Sequence, residues 1–424
     1  MRRGNTRRIG VEGLESRNLM AADVTVTNGN LLITSDVAAD LQITQTAADT
    51  FTVTDGGTAV GAGTFTGVTG NVTVRTSAAD DSIAVDLGGN TIVKRVTIDA
   101  GGGANEVSVN SGTITQQLDL RGGSGDDSFS VSGVTANGGI NLNTGAGTND
   151  FTLIDAAIRS LTASTGSGDD TLTLGDGASD VTISRGVTWS DGGGPNDLLA
   201  VSSGVTLGSL WTAAVNNVDL QSGSTVNGGV QVAGGFNVAN SLTVNATVRG
   251  SVSYLGSGGA DTVTLGADAV VSGNVNAATF GGDDTIDLQG DVFGSLHAET
   301  GAGDDKVTAA GLIGRNALVG LGDGADFFEL TGQIGVAPST RSQVLIDAGR
   351  GNDQVAFRAT SQVNGSALIN LGAGDDSLAI DDAAVLIGAY VNAGVGNDTY
   401  YGTLPRTGLT QKQFETLLVI APPF

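Results

Sequence analysis

Acids and amides recur along this chain at a spacing that could assemble a file of oxygen ligands. The positions are Asp81, Asn105, Asp127, Asn149, Asp170, Asp197, Asn216, Asn240, Asp261, Asp284, Asp305, Asp326, Asp353, Asp376 and Asp398, separated by 19 to 27 residues. Nine carry glycine four and two residues earlier, giving Gly-x-Gly-x-Asp/Asn. These form two blocks, the first from Gly101 to Asp170 and the second from Gly301 to Asp398, and the coils between lack the full pattern. Glycine opens left-handed backbone angles, and carboxylates with backbone carbonyls form a hard oxygen set suited to Ca2+. The candidate ligands are Asn105, Asp126, Asp127, Asn149, Asp169, Asp170, Asp304, Asp305, Asp326, Asp353, Asp375, Asp376 and Asp398. One ion between each adjacent pair of turns gives three in the first block and four in the second. Carboxylates stacked at the ~4.8 Å strand spacing repel by roughly 3 to 4 kcal/mol per pair at an effective dielectric near 20, which a cation offsets. The alternative is a turn held by hydrogen bonds alone, because Asn at four of the positions shows that an uncharged amide is accepted there.

Such a file exists only if the chain winds into stacked coils. Two residues after each acid or amide stands an apolar or aromatic residue, from Ile83, Val107 and Phe129 through to Leu378 and Tyr400. A second apolar column follows at the fourth position, from Val85 to Ile380, and fails at Gly402. Polar residues alternate with them, the period of a half-buried strand. A second strand precedes each turn, as at Val96/Ile98, Leu118/Leu120 and Val344/Ile346, and a weaker third follows, as at Val181/Ile183. The pattern predicts an all-β parallel solenoid of about fifteen coils, with three short strands in each coil of about 22 residues. A right-handed winding is expected from the hand of parallel crossovers.

The expected organisation is a basic segment over 1–23, an antiparallel β cap over 24–75, the solenoid over 76–402 and a second cap over 403–424. Val24 to Ile33 holds two strand patterns around an Asn28-Gly29 turn. Thr410 and Gln413 suggest a capping box for a short terminal helix carrying Phe414, Leu417 and Leu418.

Composition narrows the function classes. The 424 residues include 68 glycines, no cysteine and one histidine, and carry a net charge of −25. Arg2, Arg3, Arg7, Arg8 and Arg17 crowd the first 17 residues, so the rest is more acidic still. Nucleic acid is therefore not an expected partner. Disulfides and thiolate metal sites are excluded, and no apolar run is long enough to span a membrane as a helix.

Gly122-Gly123-Ser124-Gly125-Asp126-Asp127-Ser128-Phe129-Ser130 resembles the repeats-in-toxin nonapeptide. The resemblance implies Ca2+ held between stacked turns, although that family uses two nonapeptides in each shorter coil and this chain has one. Residues Val11 to Asp23 resemble the Leu-Glu-Pro-Arg-x-Leu-Leu tag of exported planctomycete proteins, with Ser16 in place of the proline and Met20 of the final leucine. That likeness implies export and surface display, with a cell-envelope, matrix or polysaccharide surface as partner.

The expected function is a non-enzymatic, Ca2+-stabilised structural or adhesive rod outside the cell. The alternative is a β-helical polysaccharide binder, lyase or hydrolase. For that reading the sites are the two 27-residue intervals, one with Arg185, Trp189 and Asp191 beside Trp211, the other with Pro338 and Arg341. His297 lies between inward Leu296 and Ala298 and is expected to face solvent, where a single histidine supports no triad or histidine metal site.

Overall fold

The computed structural model describes residues 22–92, 94–336, 342–402, 409–412, 414 and 416–418. The described chain is all-β, a parallel solenoid of about fifteen turns. The tag residues 1–21 and the Pro338/Arg341 insertion lie outside the described residues.

Stacking follows the sequence period. Val107 pairs with Phe129, Phe129 with Phe151, Phe151 with Leu172, and Leu172 with Leu199. The same column continues through Val307, Phe328, Val355, Leu378 and Tyr400. These side chains are buried with the column two residues on, so each coil covers the apolar face of its neighbour. The strands before the turns stack likewise, as in Ala317–Asp323 on Ser342–Arg350, and the short third strands complete the coil, as in Thr225–Val226 on Thr247–Val248.

At the N-terminal end Ala22–Thr27 and Asn30–Ser35 pair antiparallel through the Asn28-Gly29 turn, whose φ angles of 51° and 77° are the left-handed pair such a hairpin needs. Asp40–Ala47 and Thr50–Asp55 form a second antiparallel pair, to which Thr58–Phe65 adds. Asn30–Ser35 and Asp40–Ala47 also lie parallel to Val72–Arg75 and Ser82–Asp86, so the hairpins are built directly onto the first coil.

The other end corrects the expectation of a helix. Leu409–Lys412 and Thr416–Leu418 are strands, parallel to Val385–Asn392 and Thr399–Tyr401, and Gln413 lies outside the described residues. The last full coil presents unpaired backbone groups, and pairing with them is favoured over nucleating a short helix. Phe414 packs its ring 5.8 Å from that of Tyr400, the last aromatic of the column two residues after the ladder.

Candidate functional site: a buried acid and amide ladder

All fifteen recurrent acids and amides are buried, each at 3% exposure or less. They lie in one file, because the strands that follow them are in register. Burial does not leave them idle. The backbone N–H of Asp81 donates to Asn105 Oδ1 at 3.0 Å, that of Asn105 to Asp127 Oδ1 at 3.0 Å, and that of Asp127 to Asn149 Oδ1 at 3.0 Å. The relation runs on to the far end, where Asp353 N donates to Asp376 Oδ1 and Asp376 N to Asp398 Oδ1. Asn216 departs from it, donating through Nδ2 to Asn240 Oδ1 at 3.3 Å. At the start, Ala39 N donates to Asp81 Oδ1, which ties the N-terminal hairpins to the same file.

The acids one residue earlier point outward and clasp in the opposite direction. Asp126 Oδ1 accepts from Thr148 N at 2.8 Å, Asp304 Oδ1 from Ala325 N at 2.8 Å, and Asp375 Oδ1 from Asn397 N at 2.9 Å. Asp169 accepts from the backbone and the side-chain amide of Asn196. Asn352 does the same work toward Asp375 N, a role the sequence pattern did not reveal because the residue is neither acidic nor at the ladder position. The paired Asp-Asp and Asn-Asp dipeptides thus bond one coil backward and one forward. Replacing Asp304 by Ala removes the acceptor for Ala325 N, and urea melts are expected to show a loss of about 1 kcal/mol.

Carbonyls at the turns are aligned as well. A Cβ placed on Gly322, Gly349 or Gly372 would meet the carbonyl oxygen of Gly301, Gly322 or Gly349 at 1.9 Å. Each of these oxygens is therefore directed onto the α-carbon of the next coil. Ca2+ takes six to eight oxygens at about 2.3–2.6 Å. Here one oxygen of most ladder carboxylates already accepts a backbone N–H, and the turn carbonyls face a neighbouring glycine. These residues fit a hydrogen-bonded clasp that holds adjacent turns together through the protein's own donors and acceptors.

The second carboxyl oxygen distinguishes one part of the ladder from another. Gly122 and Gly256, five residues before Asp127 and Asp261, leave space where a Cβ would meet Oδ2 at 2.1 and 1.9 Å. That space lets Gly123 N reach Asp127 Oδ2 at 3.3 Å and Ser257 N reach Asp261 Oδ2 at 2.8 Å. At the C-terminal end the same position is Leu321, Ala348 and Leu371, all buried. Oδ2 of Asp326, Asp353 and Asp376 is buried there without a hydrogen-bond partner. Burial, then the neighbouring ladder carboxylates and other nearby acids, pushes these groups up, Asp326 and Asp376 to about 6 and Asp353 to about 7.

The residues weighed as a ligand surface are not brought together on one. Trp189 is fully buried and Asp191 is 8% exposed, whereas Trp211 and Arg185 face solvent. Trp189 therefore offers no ring to a sugar beside Arg185. The extra residues of that interval fall largely in the loop 175–180 and the turn 191–196, and one more shifts the register of Val181–Ser190 at Ser184 and Arg185, which leaves Arg185 outward and Trp189 inward. Arg185 shares a shallow groove with Arg159 and Asn137. His297 is exposed and lies 3.0 Å from Glu299, as its place in the strand requires.

A second buried polar column was not anticipated. Thr144, Thr165, Thr279 and Thr300 sit five residues before their ladder residues and are buried. Thr300 Oγ1 donates to Leu321 O at 2.7 Å. The signal lay in the interruption of an otherwise small or apolar inward position by threonine. In the 27-residue interval the corresponding place falls to Asp191. Comparison with protein-family models, curated proteins and solved structures finds no match to this chain.

Proposed function

We propose that this chain is a non-enzymatic structural or adhesive rod, exported and displayed at the cell surface. What carries the proposal is the use of the recurrent acids: they bond coil to coil, backward through the ladder and forward through its neighbours, instead of converging on a common point in a cleft. A register so fixed makes a stiff body of about fifteen coils, roughly 70 Å long at the strand spacing. Its strongly acidic exterior suits an extended, soluble element held against a cell envelope, matrix or polysaccharide. The N-terminal likeness to an export tag supports the location. No helix of the described residues is long and apolar enough to cross a membrane.

Protease shaving of intact cells, followed by detection of the rod in the released fraction, tests the location directly. Release by shaving is the expected result. A protein recovered wholly from the cytosol after lysis, and untouched by protease outside, removes the reading. Turnover of a polysaccharide by the purified chain would replace it with the enzymatic alternative.

A further inference from the structure

The long interval that ends at Asp197 brings three carboxylates together. Asp170, Asp191 and Asp197 are all buried, with an oxygen from each within 4.8 Å of the others. Elsewhere the file holds one inward acid or amide per coil. Here Asp191 stands where the coil before it carries Thr165, so a single winding contributes two. Asp191 Oδ1 accepts from Thr165 Oγ1, and Asp191 Oδ2 accepts from Gly193 N. Asp170 Oδ1 accepts from the backbone and side chain of Asn149, and Asp197 Oδ1 accepts from Asp170 N. The remaining oxygens, Oδ2 of Asp170 and Oδ2 of Asp197, are enclosed and have no hydrogen-bond partner, on residues with 0% exposure.

We infer that Asp170, Asp191 and Asp197 form one internal site for an oxygen-seeking divalent cation, with Ca2+ the best fit. Three carboxylates meet in a buried space, and none of the ion pairs among the described residues touches them. A buried charge cluster without a counter-charge is expensive, and every donor here is a hard oxygen. Burial, with the adjacent Asp191, raises Asp170 to about 6 and Asp197 to about 7. Amide donation, the device Asn105 supplies to Asp127, reaches this trio only at Asp170, through Asn149 Nδ2. The site goes beyond the rod reading and does not need it, since a cation can pin a coil in a protein of any function.

Trp189 supplies a reporter. Its Nε1 donates to Thr165 Oγ1 at 2.9 Å, and that hydroxyl in turn bonds Asp191, so the indole is one side chain from the trio. Tb3+, an oxygen-seeking stand-in for Ca2+, should emit on indole excitation when added to the full chain near pH 7.5. One Tb3+ per chain displaced by Ca2+ is expected. Asp197→Asn and Asp191→Asn should each abolish the emission, and circular dichroism confirms folding; the first is expected to fold because Asn216 holds the same column one coil on. Trp189→Phe should lose the emission while calorimetry still records one bound ion, and Trp211→Phe should change neither. No sensitised emission, or emission that persists in the two Asn variants, overturns the site.

Discussion

Replacing Asp353 by Asn should stabilise the rod at pH 8 by about 2 to 3 kcal/mol and leave it nearly unchanged at pH 4. The amide coils already show why. Asn149 Nδ2 donates to Gly147 O at 2.9 Å and to Asp170 Oδ1 at 2.8 Å, and Asn105 and Asn240 make the equivalent pairs. The ladder geometry therefore offers two acceptors to the atom at that position, the turn carbonyl two residues back and the Oδ1 of the ladder residue one coil on. In an Asp coil the atom placed there is Oδ2. Ionised, it faces both acceptors with no hydrogen to give; protonated, it can donate as the amide does. From Asp284 to Asp376 no amide interrupts the file and each Oδ2 is without a hydrogen-bond partner, so this conflict is met coil after coil.

The pH dependence follows with its sign. Asp353 is raised from 3.8 to about 7, and Asp326 and Asp376 from 3.8 to about 6. Between those values the folded state keeps protons that the unfolded chain has released, so stability declines as pH rises. The contribution is fully present below about pH 4 and lost by about pH 7, opposite to a salt-bridged acid. One pKa unit corresponds to about 1.4 kcal/mol, so a rise of the size seen at Asp326 is worth roughly 3 kcal/mol. Melting temperature measured from pH 4 to pH 8 should fall in the native chain, and fall less steeply when Asp326, Asp353 and Asp376 are all changed to Asn, since Asp170, Asp197, Asp284 and Asp305 are raised as well. If Asp353→Asn instead weakens the fold at pH 8, in chelator or in Ca2+, the carboxylate is being used as an anion and the ladder holds cations.

Register and core were legible from the chain because both depend on a period. Phe129, Phe151 and Leu172 share a column for the same reason that they share an offset from the preceding acid, and a strand cannot slip by one residue without exposing that column. The direction of the acids was less legible. Asp127 and Asp126 are adjacent and chemically identical, yet one is enclosed and the other exposed, a difference fixed by pleat alternation continuing back through the turn. Repeat length likewise located the irregular coil at Asp197 but not what it encloses. Trp189 and Asp191 are two residues apart and so share a face, and that face proved to be the interior. At the C-terminus a local helix signal at Thr410 was overridden by an open strand edge, which no window of local sequence contains.

Changing Gly351 to Ala should cost about 4 kcal/mol or more, because a Cβ here would make the closest approach of any described glycine. Two constraints meet at this residue. Its φ of +124° is one that side-chain-bearing residues rarely adopt, and a Cβ there would stand 1.6 Å from Gly324 O and 2.6 Å from Gly324 C. Backbone cannot swing aside as the end of a flexible side chain can, so the two coils must part by an ångström or more. The clasp between Asp326 N and Asp353 Oδ1 spans the same gap at 2.9 Å and is stretched with it. Because each coil touches only its neighbours, the damage is not shared along the rod but concentrates at one seam. Hydrogen exchange should therefore accelerate around residues 324–353 while the coils near Asp127 stay protected. Gly320 provides the control: a Cβ there meets nothing within 4 Å, and Gly320→Ala should be neutral or slightly stabilising. Equal effects from the two substitutions, or a Gly351→Ala chain with native protection throughout, would mean that the turns do not stack as closely as the clasp requires.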